Sequence, residues 1–154
     1  MAGVPAIGVL EPTQDERTMA VLAHVLQVVG WWIAPLIIFL TKRESRFVSF
    51  HALQALLLQI AYMALSAAFM GLWFVGMFVM MAHAPAAKNA PPPLGLFVLM
   101  ATVWLGWIGM WVMTLVVAIV YGVKASRGKW SEYPLLGRLS RRILNIGAGG
   151  AVIP

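Results

Sequence analysis

Residues 45–59 read SRFVSFHALQALLLQ and open the longest apolar run of the chain, which continues to position 81. As a helix, 47–81 would measure about 52 Å, against a hydrocarbon core of about 30 Å. The surplus predicts that the first two turns lie in the interface, with Ser45 as the helix cap and His51 as a boundary residue. Two further stretches, 19–40 and 94–123, also exceed the roughly 18 to 20 residues that cross a bilayer. Together they predict an all-α integral membrane protein with three transmembrane helices, at about 15–41, 46–82 and 94–123.

Composition agrees. The 154 residues are 62% hydrophobic and 10% charged, where soluble domains average roughly 45 to 50% apolar and about 25% charged. There is no cysteine, which excludes disulfides and thiolate chemistry. Residues 1–13 read as a short irregular tail, without the basic region and apolar core of a secretory signal. Positions 84–93, APAAKNAPPP, form a loop that proline keeps from becoming helix. The expected organisation is a tail at 1–13, a transmembrane domain at 14–124 and a cytoplasmic basic segment at 125–154.

Basic residues set the expected orientation. Lys42, Arg43, Arg46, Lys124, Arg127, Lys129, Arg138, Arg141 and Arg142 fall on one side of a three-span arrangement, and Arg17 and Lys88 on the other. Basic residues near span ends are retained in the cytoplasm. This predicts a multi-pass protein of a bacterial inner membrane, amino end outside and carboxyl end inside. The net charge of +6 is then a membrane-surface feature, and nucleic acid is not an expected partner.

Thr13 with Glu16 fits a capping box. Pro35 lacks an N–H and frees the carbonyl of Trp31, so a mild kink is expected within a helix reaching Thr41. A link of about five residues makes the first two helices antiparallel neighbours. In such a hairpin, positions summing to about 87 share a depth. Gln27 then faces the level of Gln59, while His24 lies toward the outer leaflet and His51 toward the inner one. On this reading the two histidines do not meet, and a shared metal or bis-histidine haem is disfavoured. Gln54 is placed to reach the carbonyl freed by Pro35.

Helical phase predicts the packing faces. His24, Gln27, Trp31 and Pro35 share one face of the first helix and should point into the bundle. Ala61, Ala64, Ala68 and Gly71 form a small-residue stripe on the second. Thr102, Gly106 and Gly109 form another on the third, almost opposite Trp104, Trp107 and Trp111. Small faces favour close helix approach; the tryptophan ridge reads as lipid-facing or as a docking surface for another membrane subunit.

Chemistry is sparse. No Asp or Glu lies between Glu44 and Glu132, so the second and third helices carry no carboxylate for a proton relay or acid/base pair. Ser66, Thr102 and Thr114 have no adjacent base and read as hydroxyls bonded back to helix carbonyls. No catalytic residue, metal site or cofactor is expected; His24 and His51 are the only candidates for ligating a porphyrin or pigment. Leu135, Leu136, Leu139, Ile143 and Ile146 share one face of a further segment, with Arg138 and Arg141 opposite and Arg142 at the border. That pattern predicts a basic amphipathic helix on an anionic inner leaflet.

Glu16-Arg17 with Ala23-His24, Pro35-Leu36-Ile37, the run from Phe47 to Ala55 (F-V-x-F-H-A-x-Q-A), and Lys124-Ala125 through Gly128 to Tyr133-Pro134 resemble a family of small bacterial membrane proteins of unknown function. That family is distantly similar to the twenty-kilodalton Tic component of the chloroplast inner-envelope import machinery. The likeness covers roughly residues 14–136 and implies a multi-helix inner-membrane protein in a translocation or complex-membership role. The expected function is a non-catalytic accessory or scaffold subunit packed against other membrane proteins. The alternative is an oligomeric conduit for protein or small solute, lined by Gln27, Gln54 and Gln59.

Overall fold

The computed structural model describes residues 11–83 and 94–146. Among them the fold is all helical, with α1 (Gln14–Gly30), α2 (Ile33–Thr41), α3 (Arg46–Ala82), α4 (Leu94–Ser126) and α5 (Leu136–Leu144), and no strand. The proline-rich link at 84–93, the glycine-rich end at 147–154 and most of the amino-terminal tail lie outside the described residues. The chain divides into two compact units, Met1–Gln59 with Leu115–Pro154, and Ile60–Thr114.

In the first unit α1 begins where the capping box predicts. Thr13 Oγ1 accepts from the Glu16 N–H at 3.3 Å, and the Glu16 carboxylate accepts from the Thr13 N–H at 2.8 Å. The expected continuous helix to Thr41 is, however, broken rather than kinked. α1 stops at Gly30, Trp31 takes φ 49°, and α2 starts at Ile33. Pro35 is the cause: it sits in the first turn of α2, where a helix needs no N–H from it, and Leu36 N–H makes the first return bond, to Trp32 O at 3.1 Å. Gly30 allows the sharp approach, since a Cβ there would lie 2.8 Å from Ala34 Cβ.

The break reverses the chain. Lys42 Nζ lies 3.5 Å from Asp15 Oδ2, and Ser45 Oγ donates to Glu16 Oε1 at 2.7 Å. Further along, His24 Nε2 meets His51 Nδ1 at 2.9 Å and Gln59 Nε2 donates to Gln27 O at 3.1 Å. Rising positions on α1 meet rising positions on α3, so α1 and α3 run parallel and α2 is the return leg. The stretch 19–40 therefore goes in and comes back within one unit. Among the described residues two helices, α3 and α4, are long and apolar enough to cross a membrane, against the three spans expected. For the same reason the start of α1 and the 41–46 link, expected on opposite sides of the bilayer, are hydrogen-bonded neighbours.

Small residues at helix contacts let backbones approach closely, and the first unit is packed through them. Ala20 and Ala23 on α1, Ala52 and Ala55 on α3, and Ala118 and Ala125 on α4 are all buried. Phe47, Val48, Ile38 and Trp130 pack among them. α4 ends in a Schellman turn: Lys129 N–H donates to Lys124 O at 3.1 Å and Gly128 N–H to Ala125 O at 2.9 Å, with Gly128 at φ +68°. Arg17 lies against that turn, its Nε 3.1 Å from where a Gly128 Cβ would be.

The second unit comprises the rest of α3 and α4. Its small-residue stripes do not close on one another as expected. Ala61, Ala64, Ala68 and Gly71 are exposed, and neither Gly71 nor Gly109 has an atom within 4 Å of its notional Cβ. Bulky side chains lie over the glycines instead: a Cβ on Gly106 would be 3.5 Å from Phe69, and one on Gly76 3.0 Å from Leu99. Thr102 and Thr114 bond back to the carbonyls of Val98 and Met110, whereas the buried Ser66 hydroxyl has no partner among the described residues. Trp104 and Trp111 are exposed, and Trp107 is half-buried edge-on to Tyr62.

Candidate functional site

The first unit holds a buried polar chain. His24 and His51 are both fully buried, one on α1 and one on α3, and they contact each other directly, contrary to the depth argument. That argument assumed an antiparallel pair; the reversal at Trp31 replaces it with a parallel one. Tyr133, in the link between α4 and α5, completes the group: its hydroxyl lies 2.7 Å from His24 Nδ1 and accepts from Gln27 Nε2 at 3.3 Å. Tyr133 is 3% exposed, and burial pushes its phenol up, well above its ordinary value.

The direction of the hydrogen bonds follows from the ends. Gln27 Nε2 can only donate, so the Tyr133 oxygen accepts. At the other end the Lys129 backbone carbonyl is the polar group approaching His51, and His51 Nε2 makes no well-aligned bond. A proton on His51 Nε2 suits that carbonyl, which leaves His51 Nδ1 to accept from His24 Nε2–H and His24 Nδ1 to accept from the Tyr133 hydroxyl. One set of neutral tautomers thus satisfies each contact from Gln27 Nε2 through Tyr133 and His24 to His51 Nδ1, while Gln27 Oε1 and His51 Nε2 are buried without a partner among the described residues.

The glutamines complete the assembly. Gln54 Nε2 donates to Ser131 O at 3.2 Å and its Oε1 accepts from the Tyr133 N–H, so this side chain clamps the post-α4 link and not, as expected, the backbone near Pro35. Gln59 takes a neighbouring task. Gln27 O belongs to the last turn of α1, whose carbonyls lose their helical partners where the helix stops, and Gln59 caps it. Gln27, Gln54 and Gln59 are all buried, and each donates a side-chain hydrogen bond within the first unit. The aromatic walls are Phe47 and Phe50, both packed on His51 and Trp130.

The arrangement is a latch. It ties 129–133 to α1 and α3 through groups too costly to leave unpaired in apolar surroundings. Both His24 nitrogens and His51 Nδ1 are occupied, which opposes the porphyrin reading. No cluster of three His, Asp or Glu side chains occurs among the described residues. The apolar cavity of the second unit, about 340 Å³, is lined by Met70, Trp73, Met100, Val103, Trp104 and Trp107. The sequence offers Lys129 only as a basic residue and Tyr133 only as part of the Tyr133-Pro134 pair, and gives no sign of Ser131; a tyrosine before Pro134 in a basic turn reads as a headgroup residue unless its burial is known.

The sequence model of the magnetosome magnetite crystal formation protein family, MamF/MmsF, matches residues 15–140. The chain belongs to that family. No curated protein and no solved structure matches it. The MamF/MmsF match takes in the whole latch and the start of α5, and the two long apolar helices α3 and α4 fit a membrane-associated protein. It also overturns the resemblance to the Tic component. The segment that carried that likeness, Phe47 to Ala55, is buried at every position, and its residues answer to packing and to the latch.

Proposed function

We propose that the chain is a non-catalytic subunit of the magnetosome membrane that supports magnetite crystal formation by packing against other membrane proteins. The observation that carries this reading is the family match over 15–140, which spans both apolar helices. The exposed Trp104 and Trp111 beside the half-buried Trp107 supply the surface, since aromatic side chains anchor interfaces. Arg17, Lys42, Arg43, Arg46, Lys124, Arg127 and Lys129 belong to the first unit, so the proposed orientation puts that unit in the cytoplasm. The α3–α4 connection then faces the magnetosome interior.

The test is deletion and complementation in the magnetosome-forming host, joined to purification from magnetosome membranes in mild detergent. The expected results are altered magnetite crystals on deletion and co-purification of a stoichiometric membrane partner. Trp107→Ala should weaken that complex while the helical content is retained. Normal crystals in the deletion strain, or a monodisperse monomer from native membranes, would refute the proposal.

A further inference from the structure

α5 carries two faces that the sequence pattern merged into one. Gly137, Ser140 and Ile146 are buried against the first unit, and a Cβ on Gly137 would clash with the Glu132 backbone, 2.9 Å from its Cα. Arg141, expected among the lipid-facing cations, instead turns inward: it pairs with Glu132 and stacks 5.3 Å over Phe50. What faces outward is a ridge of Leu135, Leu139 and Ile143, exposed by 80%, 44% and 51%. Arg138 and Arg142 run alongside, both exposed and with no acidic partner among the described residues.

Leu135 sharpens the point. It holds φ 65°, a backbone region costly for a leucine, while its side chain gains almost no cover from the protein. We infer that the outer face of α5, Leu135, Leu139 and Ile143 beside Arg138 and Arg142, lies on the surface of an anionic bilayer. Three apolar side chains are far too few for a stable protein interface, which takes roughly 800 Å² from each partner. A parallel apolar row and cation row on one helix match acyl chains below and lipid phosphates beside. Charge complementarity selects anionic headgroups. Continuity supports it too, since the 127–135 link joins α5 to α4, a helix the proposed function already places across the membrane; the inference rests on that placement.

The cysteine-free chain makes the test direct. Full-length protein carrying Ile143→Cys, labelled with an environment-sensitive fluorophore, is reconstituted in nanodiscs of phosphatidylcholine with phosphatidylglycerol, and in phosphatidylcholine alone. The expected result is a blue-shifted emission quenched by a headgroup-proximal spin-labelled lipid, stronger in the anionic discs. Arg138→Glu with Arg142→Glu, at two exposed positions, should abolish the difference between the two lipids. Quenching of the Ile143 label by an aqueous agent as readily as a label at Arg127→Cys, in both lipids, would overturn the inference. A label at Val75→Cys on α3 reports separately on the membrane reading: if it too is water-exposed, the spans themselves fail, and if it alone is lipid-quenched, only the α5 contact does.

Discussion

His24 Nε2 and His51 Nδ1 lie 2.9 Å apart, edge to face, with the ring planes at 84°. Two imidazoles make one N–H···N bond when at least one ring is neutral and presents its bare nitrogen, and burial with no carboxylate beside them favours both rings neutral with matched tautomers. The pair is thus part of the reason that α1, the start of α3 and the 129–133 link are one body.

Replacing a buried partner leaves the other unsatisfied, at about 1–3 kcal/mol per group. His24→Ala strands both Tyr133 and His51 and should be the costliest of the set, with Tyr133→Phe intermediate. Gln54→Leu strands Ser131 O and the Tyr133 N–H. The measurement is thermal unfolding in detergent, joined to amide exchange in 129–146. In each variant exchange should accelerate there before it does in the 60–82 part of α3. Uniform exchange rates across the chain would show that these bonds do not hold the segment.

The reversal at Trp31 yields a prediction of which ends share a compartment. Single cysteines at Arg17 and Arg127 should be labelled by an impermeant reagent from the same side of oriented vesicles, with a cysteine at Lys88 labelled from the other. Labelling of Arg17→Cys and Lys88→Cys from one side would restore the three-span arrangement.

Helix existence was legible in the sequence because length and apolar content alone decide it. Thr13, Glu16 and Ser45 announced their helix starts through local chemistry. What stayed hidden was tertiary. Pro35 signals a disturbance, but whether it bends or ends a helix depends on Gly30 tolerating Ala34 at contact and on Trp31 accepting a positive φ. Once the helix was taken as unbroken, the depth separation of His24 from His51 and the target given to Gln54 followed wrongly, whereas Gln27 and Gln59 do meet, across a parallel pair of helices. Likewise α5 was legible as amphipathic, but Leu136 and Leu139 separate only when one face is packed. Tyr133 carries no periodic signal, so its place in the latch needed the fold.

Glu16 links the caps of two helices and so makes stability depend on acid. Its carboxyl is held below its ordinary value, first by the Ser45 hydroxyl and then by the Thr13 N–H. The unfolded chain binds the proton more readily, so this stabilisation is fully present above about pH 4.5 and is lost as pH falls through the lowered folded value. Unfolding followed between neutral and acid pH should show a slope that Ser45→Ala reduces and Glu16→Gln removes. Loss of the cap itself should cost about 1 kcal/mol at neutral pH. An unchanged acid slope in Glu16→Gln would assign it to another group.

Gly128 is constrained twice. At φ +68° a side chain costs about 1 kcal/mol in backbone strain, and any Cβ must also displace the Arg17 guanidinium, 3.1 to 3.4 Å away. The two effects separate experimentally, because Arg17→Ala opens the space without altering φ. Gly128→Ala should therefore destabilise by more than the backbone term in the native background and by about that term alone in Arg17→Ala. A double-mutant cycle in detergent measures the difference as a coupling energy. A coupling indistinguishable from zero would mean that Arg17 does not pack on the α4 turn, and the shared level of the two chain ends would lose that support.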